Sequence, residues 1–209
     1  IYFRKKIYGI IKAIFAAAFD KSARNQNPDL KLAVFLIVGT VPAVIIGFLF
    51  KSHIVEAFGS PRWASGMLLV TALILFSTRW ASDRSRKING ARSLAIGFAQ
   101  ALAIMPGISR SGSTISMGMW LGMNKSEAAE FSFLLSVPAI AGAAILEIPW
   151  VFEVPGNAGL LPVYLAGAVT SAVIGYLSIA FLLSVIKKGK FFYFGLYCVF
   201  IGLLGIFLL

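Results

Sequence analysis

The residues "IMPGISRSGSTISMG", Ile104 to Gly118, form a polar stretch inside an otherwise apolar part of the chain. Between Pro106 and Thr114 this stretch combines turn-forming residues, hydroxyl side chains and one full positive charge, Arg110. A loop of a soluble protein could have this composition. The sequence on either side of it points instead to a membrane.

The composition is that of an integral membrane protein. Of 209 residues, 59% are hydrophobic and 13% are charged, whereas soluble domains average roughly 45–50% and about 25%. The net charge of +11 does not indicate nucleic acid as a partner, because the basic residues fall in clusters between apolar runs and not along one solvated face. The single cysteine, Cys198, excludes a disulfide or a thiolate metal cluster within one chain.

Five apolar runs approach the roughly 20 residues that a transmembrane helix needs. Tryptophans near their ends, such as Trp63 and Trp80, suit the headgroup level of a bilayer. No Gly/Ser linker divides the chain, so the sequence predicts one transmembrane domain over residues 1–209, an all-α polytopic helical bundle. The predicted spans are residues 32–50, 63–80, 131–148, 161–186 and 191–209.

Basic residues predict the orientation of these spans. Sixteen of the 19 Lys and Arg residues lie in residues 1–31, 79–92 and 187–190 or at Lys125, and the positive-inside rule assigns those segments to the cytoplasm. We expect the first of them to be a solvated loop at the lipid surface. The loop 149–161 has no basic residue, as expected for the opposite side.

Parity then constrains residues 93–122. Two spans, 131–148 and 161–186, already connect the basic segments 79–92 and 187–190, so residues 93–122 must return to the side on which they entered. Thirty residues are too few for two full crossings and a turn at 1.5 Å per residue. The sequence therefore predicts a re-entrant helix-loop-helix with its tip at residues 106–113.

The chemistry of the tip favours an anion, most plausibly a phosphate group. Pro106 blocks continuation of the first half-helix, and Gly107 and Gly112 permit tight turns. The start of the second half-helix offers free N–H groups and a positive dipole end. Arg110 adds a planar fork that fits phosphate oxygens.

Less specific interpretations remain for these residues. The Pro-Gly stretch could be only a turn, and Arg110 could pair with Glu130 or Glu147 to hold helices together, since an unpaired charge in a membrane is costly. His53, beside Lys51 at a span end, is expected to be interfacial. Three methionines are expected to be packing residues: Met117, Met119 and Met123.

The run "GFAQALAIMPGISRSGSTISMGMWLGMNKSEAAEFSFLLSVPAIAGA", Gly97 to Ala143, resembles the second signature region of the undecaprenyl-diphosphate phosphatases of the bacitracin-resistance type, whose hallmark is P-G-x-S-R-S-G-x-T. The segment "VGTVPAVIIGFLF", Val38 to Phe50, is also similar to that family. The resemblance implies an inverted-repeat fold and an enzyme that hydrolyses undecaprenyl diphosphate, recycling the lipid carrier of peptidoglycan synthesis and conferring bacitracin resistance. It implies a bacterial cytoplasmic membrane location with the active site facing the outer side.

The resemblance also implies roles for the tip residues. Arg110 would clamp the diphosphate, with Ser109 and Ser111 as the other catalytic candidates. The substrate-binding candidates are Gln100, Gly107, Gly112, Ser113 and Thr114. Expected partners are a polyprenyl diphosphate lipid and the bilayer, and a homodimer is left open.

One part of the family pattern is not found in the sequence. The family's first signature region, an E/Q-x-x-x-E motif followed by a loop ending in histidine, supplies its carboxylates, and His53 belongs to a different segment. The divalent cation implied by the family, Mg²⁺ or Ca²⁺, therefore has no ligand that we can assign. We expect an N-terminally truncated fragment that is inactive by itself. A transporter using the tip as an anion gate, and a bundle without enzymatic activity, are the alternative functions.

Overall fold

A computed structural model describes residues 2–19, 27–153 and 161–208. Within these residues the chain forms nine α-helices, and no strand is found there. A 3₁₀ turn, Thr78–Trp80, continues the fourth helix. The helices are α1 (Arg4–Phe19), α2 (Pro28–Leu49), α3 (Lys51–Phe58), α4 (Pro61–Ser77), α5 (Gly90–Leu102), α6 (Arg110–Trp120), α7 (Lys125–Glu153), α8 (Leu161–Lys187) and α9 (Tyr193–Leu208).

Four helical segments are long and apolar enough to cross a membrane: Pro28–Leu49, Pro61–Trp80, Lys125–Ile145 and Pro162–Lys187. They overlap the first four predicted spans, and the first and third begin four and six residues earlier than the sequence predicts. The fifth predicted span corresponds to α9, which is apolar but has only 16 residues. The prediction of an all-α polytopic membrane protein is confirmed.

Glycines allow close contact between helices in two places. A Cβ added to Gly97 of α5 would lie 2.4 Å from the carbonyl oxygen of Gly39 in α2. A Cβ added to Gly202 of α9 would lie 2.9 Å from the carbonyl oxygen of Ser65 in α4. Small residues are common where membrane helices approach closely, because dispersion contacts replace the hydrophobic effect there. These contacts hold α5 on α2 and α9 on α4.

The expectation of a solvated loop over residues 1–31 is wrong for Arg4–Phe19, which is helical. Its basic residues are exposed, but Ile10 and Ala13 are buried in the bundle. The side chain of Lys6 also lies 3.8 Å from Asp29 at the start of α2. Apolar residues three apart lie on one face of a helix, and packing of that face on α2 compensates for the charges on the other.

Candidate functional site

The polar stretch separates two short helices that pack against each other, α5 and α6. Helix α5 has 13 residues and helix α6 has 11, so they are about 20 Å and 16 Å long. Neither could cross a hydrocarbon core of ~30 Å. Residues 103–109 connect them without α-helical structure and contain Pro106. We call residues 103–109 together with the first turn of α6, residues 110–113, the tip.

Gly107 is the one residue of the tip with a positive φ, 92°, a conformation that residues with a side chain rarely adopt. A Cβ at this position would lie 2.0 Å from the carbonyl oxygen of Ala64 in α4. The predicted turn at Gly107 is confirmed. Glycine is required here both for the backbone angle and for the close approach of the tip to α4.

The hydroxyl of Thr71 attaches the tip to α4. Its Oγ1 donates a hydrogen bond to the carbonyl oxygen of Gly107 at 2.9 Å and accepts one from the N–H of Ser109 at 3.0 Å. Thr71 is 1% exposed and lies at the middle of the 20-residue span Pro61–Trp80. The tip is therefore anchored near the middle of a membrane-spanning helix.

Ser109 caps α6. Its Oγ accepts a hydrogen bond from the N–H of Gly112 at 3.0 Å, and its carbonyl oxygen accepts one from Ser113 N–H at 2.9 Å. The N–H groups of Arg110 and Ser111 precede the first intrahelical bond and have no acceptor among the described residues. Donors of this kind at a helix N-terminus attract anions.

The expectation that Gly112 turns the backbone is wrong. Gly112 is the third residue of α6 and does not have a positive φ. Its small size serves the cap instead, since a Cβ there would lie 2.9 Å from the Oγ of Ser109. Gly112 is also buried, so it supports the tip from within the bundle.

Arg110 is the first residue of α6 and is half-buried. No carboxylate among the described side chains lies within ion-pair distance of it; the side chain of Glu147 is outside this part of the structure. Glu130 lies toward the other end of α6, in a crevice that it shares with Lys6, Lys87 and Glu127. The described residues thus offer no support for pairing of Arg110 with Glu130.

The hydroxyl of Thr114 supports the backbone of Arg110 and connects α6 with α7. Its Oγ1 donates to the carbonyl oxygen of Arg110 at 2.8 Å and lies 2.6 Å from the Oγ of Ser132. Thr114 is 1% exposed. In this structure the hydroxyl of Thr114, predicted to bind substrate, lies within the protein and holds the tip from behind.

Three buried polar atoms near the tip have no hydrogen-bond partner among the described residues: Gln100 Nε2, Ser113 Oγ and Ser116 Oγ. Gln100 is 3%, Ser113 5% and Ser116 0% exposed. Buried polar groups without a partner are uncommon and costly in folded proteins. The atoms of Gln100 and Ser113, both predicted to bind substrate, are therefore available to a ligand or an ordered water. Ser111 follows Arg110 and is half-buried.

The sequence did not single out Thr71, Ser132 or Ser116. Thr71 is separated from Ser109 by 38 positions, and Ser132 from Thr114 by 18. A hydroxyl in an apolar run is a weak signal, because it can also donate to the carbonyl four residues earlier. Ser116 could have been found by its position, since residues three apart, such as Ser113 and Ser116, share a helix face.

Other sequence predictions agree with the structure. Met119 and Met123 are buried, at 4% and 2% exposure, and Met117 packs against the same core. His53 is exposed, 3.4 Å from Ser52 Oγ, as expected for an interfacial residue.

The tip as described does not fit a divalent cation. Across residues 2–19, 27–153 and 161–208, no group of three or more His, Cys, Asp or Glu side chains is placed to hold a metal. Mg²⁺ and Ca²⁺ bind oxygen ligands, with carboxylates foremost, and residues 103–113 contain no Asp or Glu.

Comparison with known proteins agrees with the architecture and with the polar tip. Residues 1–204 match the family of the bacitracin resistance protein BacA. The chain is 38% identical over 205 residues to an undecaprenyl-diphosphatase of Korarchaeum cryptofilum, covering 97% of this chain and 77% of that protein. It is 39% identical to one of Desulforapulum autotrophicum, covering 89% and 68%, and 37% identical to one of Methanosphaera stadtmanae, covering 99% and 78%.

A half-length helix pair whose capped N-terminus presents an arginine at membrane depth thus occurs in a chain that matches one family over nearly its whole length, and the protein belongs to the bacitracin resistance protein BacA family.

Proposed function

We propose that the protein hydrolyses undecaprenyl diphosphate to undecaprenyl phosphate and inorganic phosphate. The relatives above are named undecaprenyl-diphosphatases, and the chain spans more than two thirds of each. The reaction returns the lipid carrier to peptidoglycan synthesis. Bacitracin resistance follows from it, because less diphosphate lipid is left for an agent that acts on that form.

The observation that carries the proposal is the position of Arg110 at the capped start of α6. The guanidinium of a first-turn residue lies beside the free N–H groups of Arg110 and Ser111. These donors and the positive end of the helix dipole all favour a phosphate oxygen. An arginine can bind two such oxygens at once through its planar fork.

The same donors would assist the chemical step. Hydrolysis breaks the bond between the terminal phosphorus and the bridging oxygen, and negative charge develops on that oxygen and on the terminal phosphoryl oxygens. Donors fixed in advance stabilise such charge at little cost of reorganisation. Thr71 and Ser109 hold the tip in place, so Arg110 can stabilise this charge without rearrangement of the tip.

Gln100 and Ser113 can contribute further polar contacts, since each has a buried atom without a described partner. Ser109 and Ser111 remain candidates for the group that attacks phosphorus or positions water. The Oγ of Ser109 accepts the cap bond from Gly112 and can still donate its own proton to an acceptor. No step is derived through a divalent cation, because the described residues near the tip do not fit one.

We place the tip toward the outer side of a bacterial cytoplasmic membrane. The C-terminal end of α6 contacts the basic segment 79–92, where the N–H groups of Arg84 and Arg86 donate to the carbonyl oxygen of Gly122. Arg110 lies at the opposite end of the same helix. If the basic segment is cytoplasmic, the tip opens toward the other face.

Phosphate release from undecaprenyl diphosphate by the purified full-length protein in detergent tests the proposal. We expect release by the wild type and by Arg62→Ala, which removes an exposed arginine far from the tip, and loss of release in Arg110→Ala. Movement of the lipid between leaflets without phosphate release would instead support a transporter. Equal release by Arg110→Ala would show that the tip is not the active site.

A further inference from the structure

A small pocket lies at the basic end of the bundle, away from the tip. It is bordered by the 3₁₀ turn Thr78–Trp80, the start of α7 and the turn between α8 and α9. Its volume is about 110 Å³, room for three or four water molecules at ~30 Å³ each. The lining residues are Thr78, Arg79, Ala81, Met119, Lys125, Gly189, Phe191 and Phe192.

Two cations enter this pocket from different elements. The guanidinium carbon of Arg79 lies 5.6 Å from the centre of the Phe192 ring, a cation–π contact that orients the side chain. Lys125, at the first position of α7, is half-buried. Its Nζ lies 3.6 Å from the position that a Cβ of Gly189 would occupy. Arg79 and Lys125 therefore border the same small volume.

Neither cation is neutralised by a carboxylate among the described side chains. The ion pairs found there join Lys6 with Asp29 and Lys87 with Glu127. Three more lysines, at 187, 188 and 190, are in the adjoining turn. A pocket lined by unneutralised cations, with an aromatic ring behind one of them, has the charge to hold an anion.

The pocket lies at the level of lipid headgroups. The candidate spans Pro61–Trp80 and Pro162–Lys187 both end there, and Trp80 is 78% exposed, as is typical of an aromatic belt. The anion present at that depth in the highest concentration is the phosphodiester of an anionic phospholipid. Basic pockets between transmembrane helices on the cytoplasmic side bind such headgroups.

We propose that Arg79 and Lys125 bind the headgroup of an anionic phospholipid from the leaflet that faces the basic end. The pocket holds the phosphate, and the acyl chains extend along the apolar surface of the neighbouring helices. This site is separate from Arg110 and its occupancy does not require phosphatase activity. A bound lipid would join α4, α7 and the α8–α9 turn at their basic ends.

The test uses the full-length protein in nanodiscs of phosphatidylcholine with 20% phosphatidylglycerol, about one anionic lipid in five. Lipids that stay bound are counted by native mass spectrometry. We expect the wild type to retain one phosphatidylglycerol in preference to phosphatidylcholine. Replacing Arg79 and Lys125 together by Gln should weaken this retention about 30-fold, from loss of two basic contacts. The matched control, Lys51→Gln with Arg62→Gln, removes the same charge from another part of the protein and should retain the lipid.

Two further measurements keep the proposal open to refutation. Phe192→Leu keeps an apolar side chain but removes the ring under Arg79, and should weaken retention several-fold even if the double variant is poorly folded. Glycerol phosphate added to the wild type should not displace the lipid. An equal loss in the matched control, unchanged retention in all variants, or displacement by glycerol phosphate would each overturn the proposal.

Discussion

The Oγ1 of Thr71 lies 3.0 Å from the backbone nitrogen of Ser109 and accepts its hydrogen bond. This contact joins the middle of a membrane-spanning helix to the residue that caps α6. The same oxygen donates its proton to the carbonyl of Gly107. One buried hydroxyl thus determines where the tip, and with it Arg110, is held in the bundle.

Replacing Thr71 by Val should lower turnover about tenfold, since two hydrogen bonds worth roughly 0.5–1.5 kcal/mol each are lost and each ~1.4 kcal/mol is tenfold in rate. Thr71→Ser retains the hydroxyl and should keep most of the activity. Phosphate release is compared with Thr78→Val as the control, because the Thr78 hydroxyl donates only within its own segment, to Leu75. Equal activity of Thr71→Val and wild type would remove Thr71 from the active-site support.

Arg110→Lys should lose turnover almost as completely as Arg110→Ala, by about 10²–10³, because lysine lacks the planar fork. Both variants should give normal yields of monodisperse protein. A second change, Glu130→Gln, should not restore activity, since Glu130 lies in the crevice with Lys6 and Lys87. Recovery of activity in the double variant would reassign Arg110 to an ion pair with Glu130.

Gly107→Ala should prevent correct folding of the tip. The added Cβ would lie 2.0 Å from the Ala64 carbonyl oxygen, and alanine is strained at a φ of 92°. Gly66→Ala is the matched control on α4, because a Cβ there meets no atom within 4 Å. Thermal unfolding in detergent should show a large loss for Gly107→Ala and none for Gly66→Ala. Similar midpoints would contradict the tight approach of the tip to α4.

Ser113→Ala and Ser132→Ala should have opposite effects. The Ser113 hydroxyl has no partner among the described residues, so its removal should leave stability unchanged or higher while lowering phosphate release several-fold. Ser132→Ala leaves Thr114 without its contact in α7 and should cost about 1 kcal/mol of stability. Unfolding midpoints and initial rates are measured on the same preparations. Wild-type activity in Ser113→Ala would exclude a substrate contact for its hydroxyl.

Single cysteines at Arg86 and Lys125, introduced after Cys198→Ala, should both react with an impermeant thiol reagent from the cytoplasmic side only. This outcome follows if residues 93–122 are re-entrant, because the chain then returns to the side of the basic segment 79–92. A cysteine at Ser52, which is exposed at the start of α3, should react only from the outside. Labelling of Arg86 and Lys125 from opposite sides would contradict the re-entrant topology.

Local properties of the sequence were enough to predict the class of fold and the kind of site. Long apolar runs predict membrane helices wherever they occur, because backbone hydrogen bonds in lipid must be made within the segment. Pro106 and Gly107 interrupt a helix through their own backbone preferences, and Arg110 is costly in a membrane without a function. The break between α5 and α6 and the position of Arg110 at a helix start agree with these expectations.

Only the tertiary structure decided which groups support the tip. Periodicity cannot show that Thr71 meets Ser109 across 38 positions, since that contact depends on how α4 packs beside the α5–α6 pair. It also could not show that the Oγ of Ser109 accepts the cap bond, that Gly112 makes room for the cap, or that Arg4–Phe19 folds as a helix on α2. Hydropathy is a property of each segment, whereas a hydrogen bond between segments needs both partners in place, and packing alone brings them there.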